Sequence, residues 1–167
     1  DAFVIGTGTA GDTAAAMLRE AGLTVGIGDE RAYGGTCALR GCQPKKYLVV
    51  PSHAAVEAWG LTARGLRSAP QLDWAAMQRS RAEFTDAVPA GTESGLRDRG
   101  IATYHGHCEL ESPSVIRCGD ERIEASAFII ASGARPRRLD VPGGELACVS
   151  DDFLSLQSLP KRIVFVG

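Results

Sequence analysis

Residues 2–11 decide the fold, and they read Ala2-Phe3-Val4-Ile5-Gly6-Thr7-Gly8-Thr9-Ala10-Gly11. The first four residues are apolar and end at a glycine, which predicts a short buried strand of a parallel sheet. The glycines that follow have the spacing GxGxxG. Residues 12–21 are rich in helix formers and stop at Gly22, so we expect a helix directly after the glycine turn.

The next segment completes a recognisable unit. Residues 23–27 predict a second strand, and the acids Asp29 and Glu30 follow it. Strand, glycine turn, helix, strand and acid stand in the order and spacing of a dinucleotide-binding unit. We expect Asp29 to accept a hydrogen bond from a ribose hydroxyl, with Glu30 as the competing candidate. A glycine-rich turn that binds no nucleotide is the alternative.

Each glycine of the turn has its own physical role. Gly6 allows the tight turn, Gly8 lets the backbone approach a pyrophosphate, and Gly11 lets the helix pack on the strand. The helix N-terminus then presents free N–H groups and a positive dipole end to the phosphates.

Residues 34–46 form the second informative stretch, which reads Gly34-Gly35-Thr36-Cys37-Ala38-Leu39-Arg40-Gly41-Cys42-Gln43-Pro44-Lys45-Lys46. We interpret Cys37 and Cys42 as a redox-active pair. Five residues of regular helix advance about 7.5 Å, whereas disulfide-bonded Cα atoms lie at most about 6.8 Å apart. The backbone between the cysteines must therefore depart from a regular helix, and Gly41 supplies the freedom. A metal site, which would need more ligands, and two unrelated structural thiols are the alternatives.

The residues after Cys42 favour a helix. Pro44 suits a first helical turn, and residues 45–59 can continue it. Cys42 would then lie at a helix N-terminus, where the dipole favours a thiolate, and the cations Arg40, Lys45 and Lys46 act in the same direction. We hypothesise that Arg40 stabilises this thiolate or attracts an anionic substrate.

The rest of the chain predicts one long helix and several strands. Residues 73–88 predict a helix that ends or kinks at Pro89, with a short helical piece over residues 96–100. The expected strands are residues 101–110, a hairpin of 114–118 and 121–124 turning at Gly119-Asp120, and the apolar run 128–131. The predicted class is α/β: a Rossmann-like dinucleotide-binding fold with a parallel sheet, helices and an antiparallel β-meander.

Residues 161–167 repeat the opening pattern of an apolar strand that runs into glycine. We therefore expect residues 161–167 to be the first strand of a second, truncated nucleotide-binding unit.

Composition excludes several classes of partner. A net charge of −2 offers no basic surface for nucleic acid, and no apolar run approaches the roughly 20 residues of a membrane span. No secretory signal is visible, and five cysteines is an odd number for a secreted disulfide framework. We expect a cytoplasmic protein in which Cys108, Cys118 and Cys148 are buried or incidental thiols.

With these motifs in place, the chain resembles the class I pyridine nucleotide-disulfide oxidoreductases, the group of glutathione reductase, trypanothione reductase, dihydrolipoamide dehydrogenase and mercuric reductase. The motifs that carry the resemblance are GxGxxG at residues 6–11, GGTCxxxxCxPKK at residues 34–46, and Ile-Ala-Ser-Gly at residues 130–133, where the family usually has an ATG element. Lys45-Lys46 after Pro44 is similar to glutathione reductase, whereas the lipoamide and mercury enzymes usually have Pro-Ser-Lys.

The resemblance implies a Rossmann-like FAD/NAD(P)-binding fold, with FAD and NAD(P)H as the cofactors, and no metal is expected. It implies that residues 1–160 are the first segment of an FAD-binding domain and that residues 161–167 are the first strand of a truncated NAD(P)H-binding domain. It implies that Thr36 lies on the flavin side of the disulfide, Lys45 near flavin N5, and His107-Cys108 near the adenine. The expected cofactor-binding residues are Gly6, Gly8, Thr9, Ala10, Gly11, Asp29, Glu30, Gly35, Thr36, Lys46, His107, Cys108, Ala131, Ser132 and Gly133.

The resemblance also implies a mechanism with Cys37, Cys42 and Lys45 as its catalytic residues. Electrons pass from NAD(P)H through the flavin to the Cys37-Cys42 disulfide and on to a small disulfide substrate. Cys42 is the thiolate beside the flavin, and Cys37 is the thiol that attacks the substrate. A partner subunit of a homodimer supplies the base, so we expect this segment alone to be inactive.

Several residues depart from the family pattern. Asp29 replaces the usual Glu, Ser132 replaces Thr, and residues 38–40 read Ala-Leu-Arg in place of the common Val-Asn-Val. Mercuric reductase and dihydrolipoamide dehydrogenase are the alternatives within the enzyme class. A non-catalytic FAD-binding redox sensor is the alternative from another class.

Overall fold

The computed structural model of the chain describes residues 1–166. The chain divides into two compact units. The first, called the nucleotide unit below, comprises Asp1–Leu39 and Asp86–Arg137. The second, called the helical unit, comprises Arg40–Thr85 and the described residues from 138 onward.

The strands all belong to the nucleotide unit. They are β1 (Ala2–Ile5), β2 (Val25–Asp29), β3 (Ala102–His105), β4 (Cys108–Ser112), β5 (Val115–Cys118), β6 (Glu121–Glu124) and β7 (Ala127–Ile130). One sheet has the order β3-β2-β1-β7 with all neighbours parallel. The other has the order β4-β5-β6 with antiparallel neighbours. The predicted fold class, a parallel sheet with helices and an antiparallel meander, is confirmed.

The helices are α1 (Thr9–Glu20), α2 (Gly35–Leu39), α3 (Cys42–Leu61), α4 (Trp74–Asp98) and α5 (Ser150–Leu154). Short 3-10 turns follow at Thr62–Arg64 and Gly144–Leu146. Helices α1 and α2 belong to the nucleotide unit, α3 and α5 belong to the helical unit, and residues of α4 contribute to both. None of the helices within residues 1–166 has the length and hydropathy of a membrane-spanning segment.

The parallel sheet is covered on both faces, which explains its apolar strands. Successive residues of a strand point to opposite faces. Val4 therefore packs in one core, with Val25 and Ile27 of β2 and Leu96 of α4. Its neighbour Phe3 packs in the other core, formed with the meander.

The predicted hairpin is confirmed. β5 and β6 pair with Cys118 opposite Glu121, so the turn consists of Gly119 and Asp120. Gly119 has a φ of 59°, as a type II′ turn requires at its first central position. The turn therefore depends on a residue that lacks a side chain.

Four predicted boundaries were wrong. Helix α1 begins at Thr9 rather than at residue 12. Residues 101–110 form two strands in different sheets, because the chain leaves the parallel sheet at Gly106, whose φ is 128°. The second strand is Val25–Asp29 rather than residues 23–27. Gly28 does not end that strand, because it pairs with Ile5 of β1. Helix α4 continues through Pro89 to Asp98.

The helix continues past Pro89 because tertiary packing outweighs the local cost of proline. Val88 lies against Gly34, where a Cβ would come within 2.6 Å of the valine Cγ1. Leu96 is fully buried in the core of the nucleotide unit. The predicted helical piece over residues 96–100 is thus the end of the same helix.

In the helical unit, aromatic side chains fix the N-terminal part of α4. Trp74 donates its indole N–H to Leu156 O at 2.9 Å and packs on Phe153 with ring centroids 5.9 Å apart. Phe84 stacks on Tyr47 at 5.3 Å. Residues 161–166 belong to no helix or strand of the described chain, and the proposal that they begin a second domain stays a prediction.

Candidate functional site

Two of the motif glycines are required by the packing of the protein itself. Gly6 has a φ of 105°, and a Cβ on it would collide with the backbone of Ala131. A Cβ on Gly11 would collide with the carbonyl of Gly6. Gly11 thus lets α1 pack directly against the end of β1, as its position in the motif predicted.

Gly8 has no such constraint from the protein. A Cβ on Gly8 would meet only the Cα of Gly35, at an ordinary contact distance of 3.8 Å. Gly35 has a φ of 66°, and a Cβ on it would collide with Gly8. The glycine-rich turn and the first residue of the cysteine-bearing helix α2 therefore lie backbone against backbone.

Thr7 links the turn to the acid at the end of β2. Its backbone N–H and its hydroxyl both donate to Asp29 Oδ2, at 2.8 and 2.7 Å. Arg31 donates its N–H to Asp29 Oδ1 at 2.9 Å, and Gly34 donates its N–H to Thr7 Oγ1 at 3.4 Å. The Asp29 carboxylate is thus the anchor of the turn, a role that sequence reasoning did not assign to it.

Glu30 lies outside this network. Its Oε2 is 2.9 Å from Nδ1 of His107, and its Oε1 accepts a hydrogen bond of 2.9 Å from Arg135. The bond to His107, with the charge of Arg135, holds the pKa of Glu30 below its usual value. Glu30 therefore presents an ionised, exposed carboxylate beside two polar side chains.

A cleft of about 320 Å³ opens beside the start of α1. Helix α1 begins after Gly8, whose position at the N-cap provides no side-chain hydrogen bond. The lining residues come from the glycine turn and α1, from Gly34 and the end of α2, and from the C-terminal part of α4 and the residue after it: Thr7, Gly8, Thr9, Asp12, Thr13, Gly34, Ala38, Gly91, Thr92, Gly95 and Arg99. The free N–H groups of the first helical turn therefore border a space large enough for part of a ligand.

The turn after β7 lies against the end of β1 and the glycine-rich turn. Ala131 donates its N–H to Ile5 O at 2.8 Å, and the Cα of Ser132 would lie 3.3 Å from a Cβ on Gly6. Gly133 has a φ of 75° and open space around it. The structure thus brings the predicted residues of this turn to the glycine motif.

The two cysteines lie on consecutive helices of the chain. Cys37 is half-buried in α2, which ends at Leu39, and Cys42 is the exposed first residue of α3. Gly41 between them has a φ of −142° and a ψ of −110°, which is not helical. The predicted departure from a regular helix at Gly41 and the position of Cys42 at a helix N-terminus are confirmed.

The cations near Cys42 in the sequence belong to the helical unit. Lys45 and Lys46 are exposed on the first turn of α3. Arg40 Nε lies 3.6 Å from Asp151 Oδ2, and the side chain of Arg40 is largely buried. Asp151 therefore partly offsets the positive charge that the sequence analysis ascribed to Arg40.

Cys108 was expected, together with His107, to lie near the adenine. Its thiol packs against Cys118 between the two sheets, whereas the neighbouring His107 is exposed and contacts Glu30. A cofactor contact by Cys108 would involve its backbone. That assignment stays a prediction, as do those of Thr36, Lys45 and Lys46.

Sequence reasoning missed Thr7 and Arg135. Thr7 is buried and bonded to Asp29, and a hydroxyl inside GxGxxG with an acid at the end of the next strand is the signal that could have found it. Arg135 contacts Glu30 across a large sequence separation, which no local pattern reveals. Among residues 1–166, no three His, Cys, Asp or Glu side chains form a group that could hold a metal ion.

Comparison with known proteins identifies the family of this chain. The family model for pyridine nucleotide-disulphide oxidoreductases matches residues 1–167. The chain belongs to this family. In this chain, the glycine-rich turn and the segment that carries Cys37 pack together through Gly8 and Gly35.

Curated relatives include enzymes with different substrates. The chain is 29% identical to glutathione reductase of Burkholderia cepacia over 100% of its own length. It is 31% identical to dihydrolipoyl dehydrogenase 2 of Haloarcula marismortui over 99% of its length. In both cases the chain spans only 37% of the relative.

A solved structure supports the same fold. The HOCl-induced flavoprotein disulfide reductase RclA from Escherichia coli superposes with a TM-score of 0.78 at 25% identity. The match covers 96% of this chain and 35% of the RclA chain. The α/β fold described above is therefore also found in a flavoprotein disulfide reductase.

Proposed function

We propose that the chain is the FAD-binding part of an NAD(P)H-dependent disulfide reductase, with Cys37 and Cys42 as its redox pair and a small disulfide as its substrate. One observation supports this most directly. The turn that would hold a dinucleotide packs through Gly8 onto Gly35, and Cys37 lies in the helix that begins at Gly35. A cofactor bound along the turn would therefore extend close to the helix of the first cysteine.

The residues of the nucleotide unit suit FAD. A Cβ at Gly8 would not collide with the protein, so the absence of a side chain there matches a requirement of a ligand. The uncapped start of α1 offers N–H groups to a pyrophosphate at Thr9 and Ala10. FAD, when bound, would supply a carrier that takes two electrons from a nicotinamide and gives them to a disulfide.

The acids at the end of β2 would recognise the adenosine part. Asp29 accepts three hydrogen bonds from the protein, and carboxylate oxygens have capacity for a further donor such as a ribose hydroxyl. Glu30 and His107 lie at the exposed edge next to it. We retain Asp29 as the ribose ligand and Glu30 as the competing candidate.

The cysteines would act by thiol–disulfide exchange. The Cys37 thiolate attacks one sulfur of the substrate disulfide, which forms a mixed disulfide and releases the first substrate thiol. The Cys42 thiolate then attacks the Cys37 sulfur, which releases the second thiol and leaves a Cys37–Cys42 disulfide. Two electrons pass to the substrate, and two protons are taken up by its thiols.

The start of α3 supports a thiolate at Cys42. Cys42 is the first residue of a helix of 20 residues and is exposed. A helix N-terminus lowers the pKa of a thiol because the dipole stabilises its anion. We propose glutathione disulfide as the substrate because Lys45-Lys46 resembles the glutathione enzymes. Lipoamide is the competitor, since dihydrolipoyl dehydrogenases match equally well.

The remaining parts of the activity are proposals about the complete protein. They are an NAD(P)H-binding domain that begins near residue 161, a homodimer whose partner supplies the base, and a cytoplasmic location. The relatives are much longer than this chain, which is consistent with a further domain.

The test is steady-state oxidation of NADH and NADPH by the complete protein with glutathione disulfide, lipoamide or Hg(II). We expect Cys37→Ser and Cys42→Ser to retain the flavin absorbance and to lose disulfide reduction by at least about 1,000-fold, as removal of a nucleophile does. Cys148→Ser is the matched control, because this thiol is exposed and lies outside the motif. Disulfide reduction by either motif variant at the wild-type rate would refute the proposal.

A further inference from the structure

Strands β4 and β5 place two cysteines directly opposite each other. Cys108 is the register partner of Cys118. Next to this pair, Gly119 donates its N–H to His107 O at 3.0 Å. A bond between the flanking residues identifies Cys108 and Cys118 as a non-hydrogen-bonded pair, in which Cα atoms lie about 4.5 Å apart and side chains approach most closely. This spacing falls within the range of about 4.4–6.8 Å that a disulfide requires.

The two sulfur atoms are already adjacent. Cys108 Sγ and Cys118 Sγ lie 2.6 Å apart, within about 0.6 Å of the length of a disulfide bond. Both also lie near the carbonyl oxygen of Gly106, at 3.7 and 3.5 Å. Both side chains therefore point to the same place, and closing the bond requires no rearrangement of the strands.

Gly28 of β2 makes the space for this pair. A Cβ on Gly28 would come within 2.7 Å of Cys118 Sγ and 2.8 Å of Cys108 Sγ. Any other residue at this position would push against both sulfurs. The sulfur pair therefore lies under the residue that precedes Asp29, on the face of the parallel sheet that the meander covers.

We propose that Cys108 and Cys118 form a reversible cross-strand disulfide, a second redox pair of this protein that joins β4 to β5 beneath Gly28. The pair is separate from Cys37 and Cys42 and does not depend on the proposed electron path.

The oxidation can be written with oxidised glutathione as the oxidant. The thiolate of Cys108 attacks one glutathione sulfur, which forms a mixed disulfide and releases one glutathione thiol. The Cys118 thiolate then attacks the Cys108 sulfur, which forms the protein disulfide and releases the second thiol. Two protein thiols lose two electrons and two protons, and one glutathione disulfide becomes two glutathione molecules.

Burial decides which thiol reacts first and how fast. Cys118 is 1% exposed, whereas Cys108 is half-buried. Cys108 is therefore the thiol that reacts first with oxidised glutathione. Burial raises the pKa of both thiols, and for Cys108 the contact with Cys118 raises it further. Because only the thiolate reacts, we expect slow exchange and a stable bond, unlike the fast exchange of a catalytic pair.

The test uses the complete protein with Cys37, Cys42 and Cys148 replaced by Ser, which leaves Cys108 and Cys118 as the thiols of this chain. The protein is equilibrated with excess oxidised glutathione, once from the folded state and once by refolding from denaturant. After acid quenching, alkylation and proteolysis, mass spectrometry maps the thiols. We expect one cross-linked peptide pair that joins residues 108 and 118 and that dithiothreitol reverses.

A thermal unfolding scan gives a second readout. We expect the oxidised form to unfold about 5–10 °C above the reduced form. The same comparison with Cys118→Ala added should show no shift, because no second thiol is present. Two alkylated thiols after refolding in excess oxidised glutathione, or glutathione adducts without the cross-link, would overturn the proposal.

Discussion

Thr7 donates both its backbone N–H and its hydroxyl hydrogen to one oxygen of Asp29, Oδ2. This arrangement closes the glycine-rich turn onto the end of β2. The buried hydroxyl also accepts the N–H of Gly34, so one threonine joins three segments of the nucleotide unit. The turn is held by side-chain chemistry as well as by glycine conformations.

Replacing Thr7 by Val should destabilise the turn, because valine keeps the volume but removes the buried hydroxyl that donates to Asp29 and accepts from Gly34. We expect a loss of about 1–3 kcal/mol in the free energy of unfolding, together with weaker FAD binding. Urea unfolding and fluorescence titration with FAD measure the two effects. Thr24→Val is the control, because Thr24 is exposed and outside this network. Unchanged stability in Thr7→Val would show that the network does not hold the turn.

Replacing Gly35 by Ala should be severe. The residue has a φ of 66°, and its Cβ would collide with Gly8. Conformational strain and the clash together predict a loss of about 2–6 kcal/mol, visible as unfolding at lower urea concentration. The matched change is Gly60→Ala in α3, where a Cβ meets no atom within 4 Å. That helix should gain about 0.5–1 kcal/mol, and equal effects of both substitutions would contradict the packing described here.

Tyr33→Phe tests a buried hydrogen bond in the nucleotide unit. The Tyr33 hydroxyl is buried and donates to Tyr104 O at 2.7 Å. Removing it leaves a carbonyl without this donor, and we expect a loss of about 1–2 kcal/mol with normal FAD binding. Tyr47→Phe is the control, since that ring is partly exposed. A loss of FAD binding without a loss of stability would place Tyr33 in the ligand site instead.

The stability should fall in acid partly because of Glu93. Hydrogen bonds to His105 and Thr103, with the charge of Arg97, hold the pKa of Glu93 below its usual value of 4.5. A carboxyl with a lowered folded-state pKa stabilises the fold above its unfolded pKa, and this stabilisation is lost as the pH falls through the folded pKa. Glu93→Gln should therefore flatten the decline in the urea midpoint below about pH 5. Glu83→Gln, on the exposed side of α4, should leave the decline as steep as in the wild type.

The sequence predicted the fold class well because the deciding signals are local. The apolar run of β1, the glycine spacing after it and the Gly119-Asp120 turn each act within a few residues. The errors occurred where distant residues decide the outcome. Gly106 carries the chain from one sheet to the other, and the position for a Cβ on it lies 2.6 Å from the Cα of Gly119. No local pattern contains that contact.

The site was only partly predictable for the same reason. The motif glycines could be assigned from their spacing, because each has a backbone role that repeats in every dinucleotide unit. The anchoring role of Asp29 depends on Thr7, and the ion pair of Glu30 depends on Arg135. The proximity of Cys108 and Cys118 depends on the register of two strands, which hydrophobic alternation alone does not fix.

The contact between Gly8 and Gly35 also has a consequence for protein engineering. Residues 9–34 leave the glycine turn and return to it, so their two ends are fixed by residues that have no side chains. Between those ends, a Cβ on Gly22 meets no atom within 4 Å. Helix α1 and strand β2 should therefore behave as a module. It can be exchanged between homologues, or lengthened near Gly22, as long as the replacement keeps the distance between the two ends of residues 9–34.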